Sequence, residues 1–156
     1  MKIIRKKQSF ISKKILFLTE NKYLCHHTSP SKGNLMDIEE LRTYCLSLSE
    51  ETEEKFPFQQ FKAAKDILAF YICGHIFCYF NINDLTHVTV KCLPEKVVEL
   101  IEEYDFIDHP YNGNAKYWVG IDAQRADQQL LKKLIKDSFS LIVNKYKKTG
   151  SKQNKN

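Results

Sequence analysis

Residues 111–122 read Tyr111-Asn112-Gly113-Asn114-Ala115-Lys116-Tyr117-Trp118-Val119-Gly120-Ile121-Asp122. The first half is rich in turn-forming residues, and the second half is an alternating run that contains the single tryptophan of the chain. This change of pattern predicts a loop that enters a β-strand over 116–122. In that strand Tyr117, Val119 and Ile121 share one face. The other face carries Lys116, Trp118 and Gly120, and Gly120 leaves open space beside the indole.

Four further strands are predicted before this one, from their content of β-branched and aromatic residues. They cover residues 58–64, 67–73, 76–82 and 86–92. Glycine at the first position of a two-residue hairpin predicts a type II′ turn at Gly74-His75. Residues 87–92 alternate, with Val88 and Val90 on the same face as Cys92 and with Thr89 and Lys91 on the other. This alternation indicates an antiparallel sheet with one buried and one open face.

Three helices are predicted around these strands. Asp37 and Glu40 form a capping-box pattern before the first helix, and Pro94 suits the first position of the second. Asp127 suits the cap of the third helix, which has a broad apolar stripe. Leu93 stands at the cap position of the second helix, where the lack of a capping side chain costs roughly 1 kcal/mol. The predicted order of elements is α-β-β-β-β-α-β-α, and the acidic run 50–54 is expected to be a solvated loop.

Charge divides the chain into three parts, although its 156 residues suit one domain with tails. Residues 1–35 carry a net charge of +7, residues 36–122 carry −9 and residues 123–156 carry +7. We expect 1–35 to be a basic extension that is either flexible or upstream of a natural start at Met36. Intact-mass analysis of the protein from its own host distinguishes the two starts. The folded domain is expected at 36–148 and a disordered basic tail at 149–156.

Cysteine and hydropathy patterns limit the cellular setting. The odd number of cysteines and the absence of a CxxC pair indicate reduced thiols in a cytoplasm; these residues are Cys25, Cys45, Cys73, Cys78 and Cys92. His26 and His27 beside Cys25 have no further ligands at zinc spacing, so no metal is expected. No apolar run approaches the roughly 20 residues that span a bilayer, so no membrane partner is expected.

The chain from residue 36 to residue 148 resembles the MmcQ/YjbR family of small bacterial proteins. The resemblance rests on the order and spacing of several short motifs: Met36-Asp37-Ile38-Glu39-Glu40-Leu41-Arg42, Tyr44-Cys45-Leu46-Ser47-Leu48, Glu53-Glu54 before Phe56-Pro57-Phe58, Lys91-Cys92 before Pro94-Glu95, Asn114 with Lys116 and Trp118, and Ser138-Phe139 with Leu141-Ile142. It implies a CyaY-like α+β fold, in which an antiparallel sheet of about five strands has helices packed on one face. Family members are commonly described as DNA-binding, and the resemblance implies neither an enzymatic activity nor a cofactor.

Two surfaces are candidates for nucleic-acid binding. The open sheet face carries Lys91, Lys116 and Trp118, whose indole can stack on a base. The third helix carries Lys132, Lys133 and Lys136, which can meet phosphates without sequence preference. The −9 charge of residues 36–122 opposes both. The alternatives are that Trp118 is a core or half-buried structural residue of its strand and that the lysines serve solubility.

Other function classes are weighed against DNA binding. A module that binds protein partners through Phe56-Pro57-Phe58 and the open sheet face is the alternative function. The sequence has no phosphate-binding glycine loop, nucleophile elbow or metal-ligand spacing. We therefore predict that the protein is not an enzyme and that it has no catalytic residues.

Overall fold

The structure is a computed structural model that describes residues 35–150, with side chains described as far as residue 147. The predicted extension over 1–35, apart from its last residue, and residues 151–156 of the predicted tail lie outside the described residues. The same is true of Cys25 and its two histidine neighbours.

Within residues 35–150 the chain forms three helices and one sheet of six strands. The helices are α1 (Ile38–Ser47), α2 (Pro94–Glu103) and α3 (Gln128–Gly150). The strands are β1 (Glu53–Lys55), β2 (Ile67–Ile72), β3 (His75–Asn81), β4 (Asp84–Lys91), β5 (Ile107–Asp108) and β6 (Trp118–Ile121). All pairs are antiparallel, in the order β1-β2-β3-β4-β6-β5. The predicted α+β fold is confirmed, with the short β5 as a strand that the sequence did not indicate.

The helix starts follow from the predicted caps. The Asp37 side chain accepts the Glu40 N–H at 2.9 Å, and the Glu40 side chain accepts the Asp37 N–H at 3.0 Å. The Asp127 carboxylate accepts the N–H groups that begin α3 at 2.9 and 3.1 Å. Pro94 begins α2 as predicted, and Leu93 before it makes no side-chain cap and is 55% exposed. The second helix therefore begins without the capping hydrogen bond that the other two have.

The first strand is not where the sequence placed it. The predicted strand 58–64 is wrong, because this segment forms successive turns in which Phe61 N–H donates to the Phe58 carbonyl. Strand β1 lies instead in the acidic run. Arg42 donates two hydrogen bonds to the Glu54 carboxylate, at 2.6 and 2.5 Å, and the Glu54 side chain is only 2% exposed. Arg42, which lies twelve residues earlier in the chain, therefore keeps the Glu54 side chain buried and away from solvent.

The β2–β3 hairpin turns one residue earlier than predicted. Ile72 pairs with His75, so that Cys73 and Gly74 form the two-residue loop. Both have positive φ, 52° and 75°, which is the pattern of a type I′ turn and not of the predicted II′ turn at Gly74-His75. Glycine is suited to the second of these positions because it has no Cβ.

The core lies between the sheet and the three helices. Its largest fully buried side chains come from β2, β3, β6, α1 and α3 and from Ile82 between β3 and β4, among them Phe70, Phe77 and Phe80. The fully buried Ser138 of α3 bridges two strands: its hydroxyl donates to the Phe77 carbonyl at 2.6 Å and accepts the Lys91 N–H at 2.9 Å. Because the β2–β3 pairing skips Phe77 in a bulge, the serine hydroxyl reaches backbone groups there.

In the described part of the chain, none of the helices is both long enough and apolar enough to cross a membrane.

Candidate functional site

The sheet face turned away from the helices brings together several predicted residues. Lys91 of β4 pairs directly with Trp118 of β6, and Thr89 pairs with both Gly120 and Tyr79. Side chains directly opposite in an antiparallel pair project to the same face. The core residues Val88 and Val90 alternate with these positions, so Lys91 and Trp118 lie on the open face, as their spacing predicts.

Trp118 is a half-buried side chain with two neighbours on this face. The Lys91 ammonium lies 5.5 Å from the centre of the indole, within cation–π distance. The Tyr79 ring is tilted by 57° against the indole, with the ring centres 5.6 Å apart. Trp118 is therefore not a residue of the core between sheet and helices, and part of its surface is available to a partner.

An apolar cleft of about 360 Å³ lies on this face beside Trp118. Its described lining consists of Phe58, Ala64, Ile67, Ile76, Tyr79, Asn112, Gly113 and Trp118. The floor comes from β2 and β3, one wall from the segment 56–66, and the other from the loop 109–117. None of these eight residues is charged, and the volume is near the lower end for small-molecule pockets. The cleft suits one small, planar apolar group.

The loop 109–117 is held over the sheet by two contacts. The Tyr79 hydroxyl donates a hydrogen bond to the Asn112 carbonyl. The Tyr111 ring packs on His87, with 3.7 Å between ring centres. Burial raises the pKa of the Tyr79 hydroxyl, which therefore keeps its proton to a higher pH than an ordinary tyrosine. These contacts between residues distant in sequence give the cleft its second wall.

Glycine at position 120 makes room for His87. A Cβ at Gly120 would lie 2.7 Å from Cδ2 of His87, closer than real Cβ contacts. The space that the sequence placed beside the indole is therefore occupied by the histidine. A smaller pocket of about 160 Å³ adjoins the cleft here, and Asp84, His87 and Thr89 are among its lining residues.

Lys116 and Tyr117 precede β6 instead of belonging to it. Lys116 is exposed, and its backbone N–H donates to the Asn114 side chain at 3.0 Å in a local turn. Its ammonium lies 5.5 Å from the Tyr117 ring. Because β6 begins only at Trp118, the prediction that Tyr117 shares a face with Val119 is wrong, and Tyr117 is exposed.

The three candidate lysines of α3 lie on the other side of the sheet. Lys132 is half-buried, with its ammonium 5.6 Å from the Tyr44 ring. Lys133 forms an ion pair with Asp137 at 2.8 Å, and Lys136 is exposed. The structure therefore brings Lys91 and Trp118 together on the open face and places the exposed Lys116 in the turn that leads into β6, while the helix lysines lie on the other side of the sheet.

The sequence did not indicate Tyr79, Ile76 or His87 as parts of a site. The alternation of β3 was a usable signal for Tyr79, because its neighbours Cys78 and Phe80 are buried. Among the residues with described side chains, no group of three or more His, Cys, Asp or Glu residues is arranged to hold a metal ion. The described cysteines are free thiols; Cys45, Cys78 and Cys92 are buried and Cys73 is exposed.

Comparison with known proteins places the chain in a family. The YjbR family model matches residues 46–141. A crystal structure of a Deinococcus radiodurans protein with a DUF419 domain has a TM-score of 0.61 at 24% identity, over 70% of this chain and 80% of that one. A Pseudomonas syringae protein has a TM-score of 0.57 at 19% identity, over 68% of this chain and 98% of that one. At such identities these two structures show a shared fold alone, and no curated protein sequence matches. The resemblance found in the sequence is confirmed by the family model, and the chain belongs to the YjbR family.

Proposed function

We propose that this protein is a non-enzymatic DNA-binding protein that contacts nucleic acid through the open face of its sheet. The observation that carries the proposal is the position of Trp118, half-buried at the edge of an apolar cleft and beside Lys91. An indole in this setting can stack on a base while nearby ammonium groups meet the phosphates.

Charge around the cleft supports this surface over the helix side. In the segment 56–66, in β2 and β3, and in the loop 109–117, the charged residues are Lys62, Lys65, Asp66 and Lys116. Lys91 adds a further positive charge beside the indole. The rim is therefore net positive, although residues 36–122 as a whole carry −9. Positive charge concentrated at the site favours an anionic partner there.

The helix side is a weaker candidate. Helix α2 carries Glu95, Glu99, Glu102 and Glu103 against Lys96 alone. On α3 the Lys133 ammonium is already paired with Asp137. Acidic groups interspersed with lysines lower the local potential that a phosphate backbone would meet.

A titration of fluorescent single-stranded and duplex DNA of about 20 nucleotides, at about 20 to 200 mM salt, tests the proposal. Trp118→Ala is expected to weaken binding about 5-fold or more, through loss of stacking, and Trp118→Phe should retain most of it. The pair Lys91→Gln and Lys116→Gln should lower the slope of log K against log salt by roughly 1.5. The matched control, in which Gln replaces Lys132, Lys133 and Lys136 on α3, should change the affinity for DNA less than about twofold.

Two results would reject the proposal. The first is that neither DNA binds at the lowest salt. The second is that the triple change on α3 abolishes binding while Trp118→Ala leaves it intact. In that case the helix face, and not the sheet, is the site.

A protein-interaction module is the second candidate, because the cleft lining is uncharged and exposed aromatic residues border it. Phe58 and Phe61 are 37% and 57% exposed, and exposed aromatic side chains beside an apolar cleft favour a protein partner at this place. If DNA fails to bind, a phage-displayed peptide library panned against the wild-type protein and against Trp118→Ala tests this function. Peptides that bind only the wild-type protein would support it.

A further inference from the structure

We infer that the cleft beside Trp118 holds one unpaired base of a single-stranded nucleic acid, so that the protein prefers single strands over duplexes. The inference rests on the proposed function and specifies which form of nucleic acid this surface takes. It follows from the shape and chemistry of the cleft, from the lysines around it, and from an exposed aromatic residue on its outer wall.

The cleft is built for a planar apolar group. Three of its eight lining residues are aromatic, namely Phe58, Tyr79 and Trp118, and none of the eight is charged. Tyr79 and Trp118 contact each other with their ring planes at 57°, and both line the cleft. A base with one exposed π-face can stack on either ring. An aliphatic group fits the volume but gains less from the aromatic faces than a flat base does.

Cationic groups stand outside the cleft and not within it. Lys62 and Lys65 are exposed on the same segment as the lining residue Ala64, and Lys116 is exposed two residues before Trp118. A nucleotide divides in the same way, into an uncharged base and an anionic phosphate. The lining and the rim therefore match the two parts of one nucleotide.

A second stacking platform lies next to the cleft. The Phe61 side chain is 57% exposed, and its segment is held in turns by hydrogen bonds from Phe61 N–H to Phe58 O and from Ala64 N–H to Phe61 O, both of 3.0 Å. Successive bases of a single strand can occupy the cleft and then this ring. In a duplex the base faces are stacked against each other and only their edges are exposed in the grooves, so neither ring has a face to contact.

Three DNA probes with similar charge test the inference in the full chain. They are a ten-nucleotide oligothymidylate, a strand of the same length made of abasic residues, and a short hairpin duplex. Oligothymidylate is expected to bind about 5- to 100-fold more tightly than either of the others at the same salt. It should also quench the fluorescence of Trp118, the single tryptophan, while the abasic strand should not.

Three variants test whether the preference for oligothymidylate arises at the cleft. Ala64→Phe places a ring in the cleft without changing charge, and it should remove the preference for oligothymidylate over the abasic strand. Ala115→Phe adds the same ring at an exposed position of the opposite loop and should leave the preference intact. Phe61→Ala should reduce the preference by roughly 5-fold or more. Urea unfolding curves close to wild type establish that each variant is folded.

The outcomes separate the inference from the proposed function. Equal affinity for all three probes overturns the inference and leaves DNA binding standing. A preference for single strands that survives Ala64→Phe also overturns it, because the cleft is then not the site. No binding of any probe at low salt overturns the proposed function and the inference together.

Discussion

Replacement of Ser138 by alanine is expected to destabilise the fold by about 3 kcal/mol. The hydroxyl is fully buried, donates to the Phe77 carbonyl at 2.6 Å and accepts the Lys91 N–H at 2.9 Å. Alanine leaves both backbone groups buried without a partner, and each such group costs about 1–3 kcal/mol. The volume of one oxygen is too small to admit a water molecule in its place. The better helix propensity of alanine offsets only about 0.5 kcal/mol.

Urea unfolding followed by Trp118 fluorescence measures this change. With a dependence of about 1–3 kcal/mol per molar urea, a loss of 3 kcal/mol lowers the midpoint by roughly 1–3 M. The matched control is Ser140→Ala, on the same helix at a half-exposed position, where we expect a change within about 0.5 kcal/mol. The Lys91 amide should also lose protection against hydrogen exchange in Ser138→Ala.

If Ser138→Ala costs no more than Ser140→Ala, the serine does not bridge the strands, and β3 and β4 satisfy these groups directly. A change in the slope of the unfolding curve without a change in stability would also contradict the reasoning. It would mean that the denatured state, and not the strand junction, responds to the substitution.

Three more changes test other parts of the structure. Leu93→Ser supplies the missing cap of α2 from an exposed position and should stabilise the protein by about 1 kcal/mol. Leu93→Ala supplies no cap and should not stabilise it. Equal urea midpoints for the two variants would refute the capping argument. Glu54→Gln removes the buried carboxylate that accepts two hydrogen bonds from the half-buried Arg42 guanidinium, while Glu39 remains at 3.5 Å, and should cost about 2–3 kcal/mol. The exposed control Glu53→Gln should cost under about 0.5 kcal/mol. Similar losses of stability in Glu54→Gln and Glu53→Gln would show that the ion pair between Arg42 and Glu54 does not stabilise the fold. Burial raises the pKa of Cys92 to about 11 from its ordinary 9.0. The folded thiol then stays neutral while the unfolded one ionises, so the Cys92 contribution to stability is complete below pH 9 and is lost towards pH 11. Between pH 9 and pH 11 the free energy of unfolding should fall less steeply with pH in Cys92→Ala than in the wild-type protein. Parallel curves of unfolding free energy against pH for the two proteins would contradict the prediction.

Features that depend on residues near in sequence were predictable. The capping box of Asp37 and Glu40 satisfies helix donors within one turn, so its pattern alone locates α1. The alternation of 87–92 assigned Lys91 to the open face because a strand has a period of two. Local patterns also gave the order of the elements, and the family resemblance added that the helices pack on one face of the sheet.

Features that depend on distant partners were not predictable. Four glutamates in a row of five residues indicate a solvated loop, and only Arg42 in the folded chain makes Glu54 part of a strand. The cleft likewise exists because Tyr79 and His87 hold the loop 109–117 over the sheet. The sequence placed Trp118 on the strand face opposite Val119 and Ile121 and left open whether that face is buried. It did not indicate that another segment would form a second wall beside the indole.

The net charge of −9 over residues 36–122 does not by itself oppose anion binding at the open face. The glutamates of α2 lie on the helix side of the sheet. They are separated from the open face by the thickness of the sheet and of the helix layer, which together exceed about 10 Å. At 0.1 M salt the Debye length is about 10 Å, so exposed charges at that separation are largely screened. What a phosphate meets at the cleft is set by the nearby charges of Lys62, Lys65, Lys91 and Lys116 against the one negative charge of Asp66. The sign of the local charge, and not the sum over the domain, therefore decides whether the open face can bind DNA.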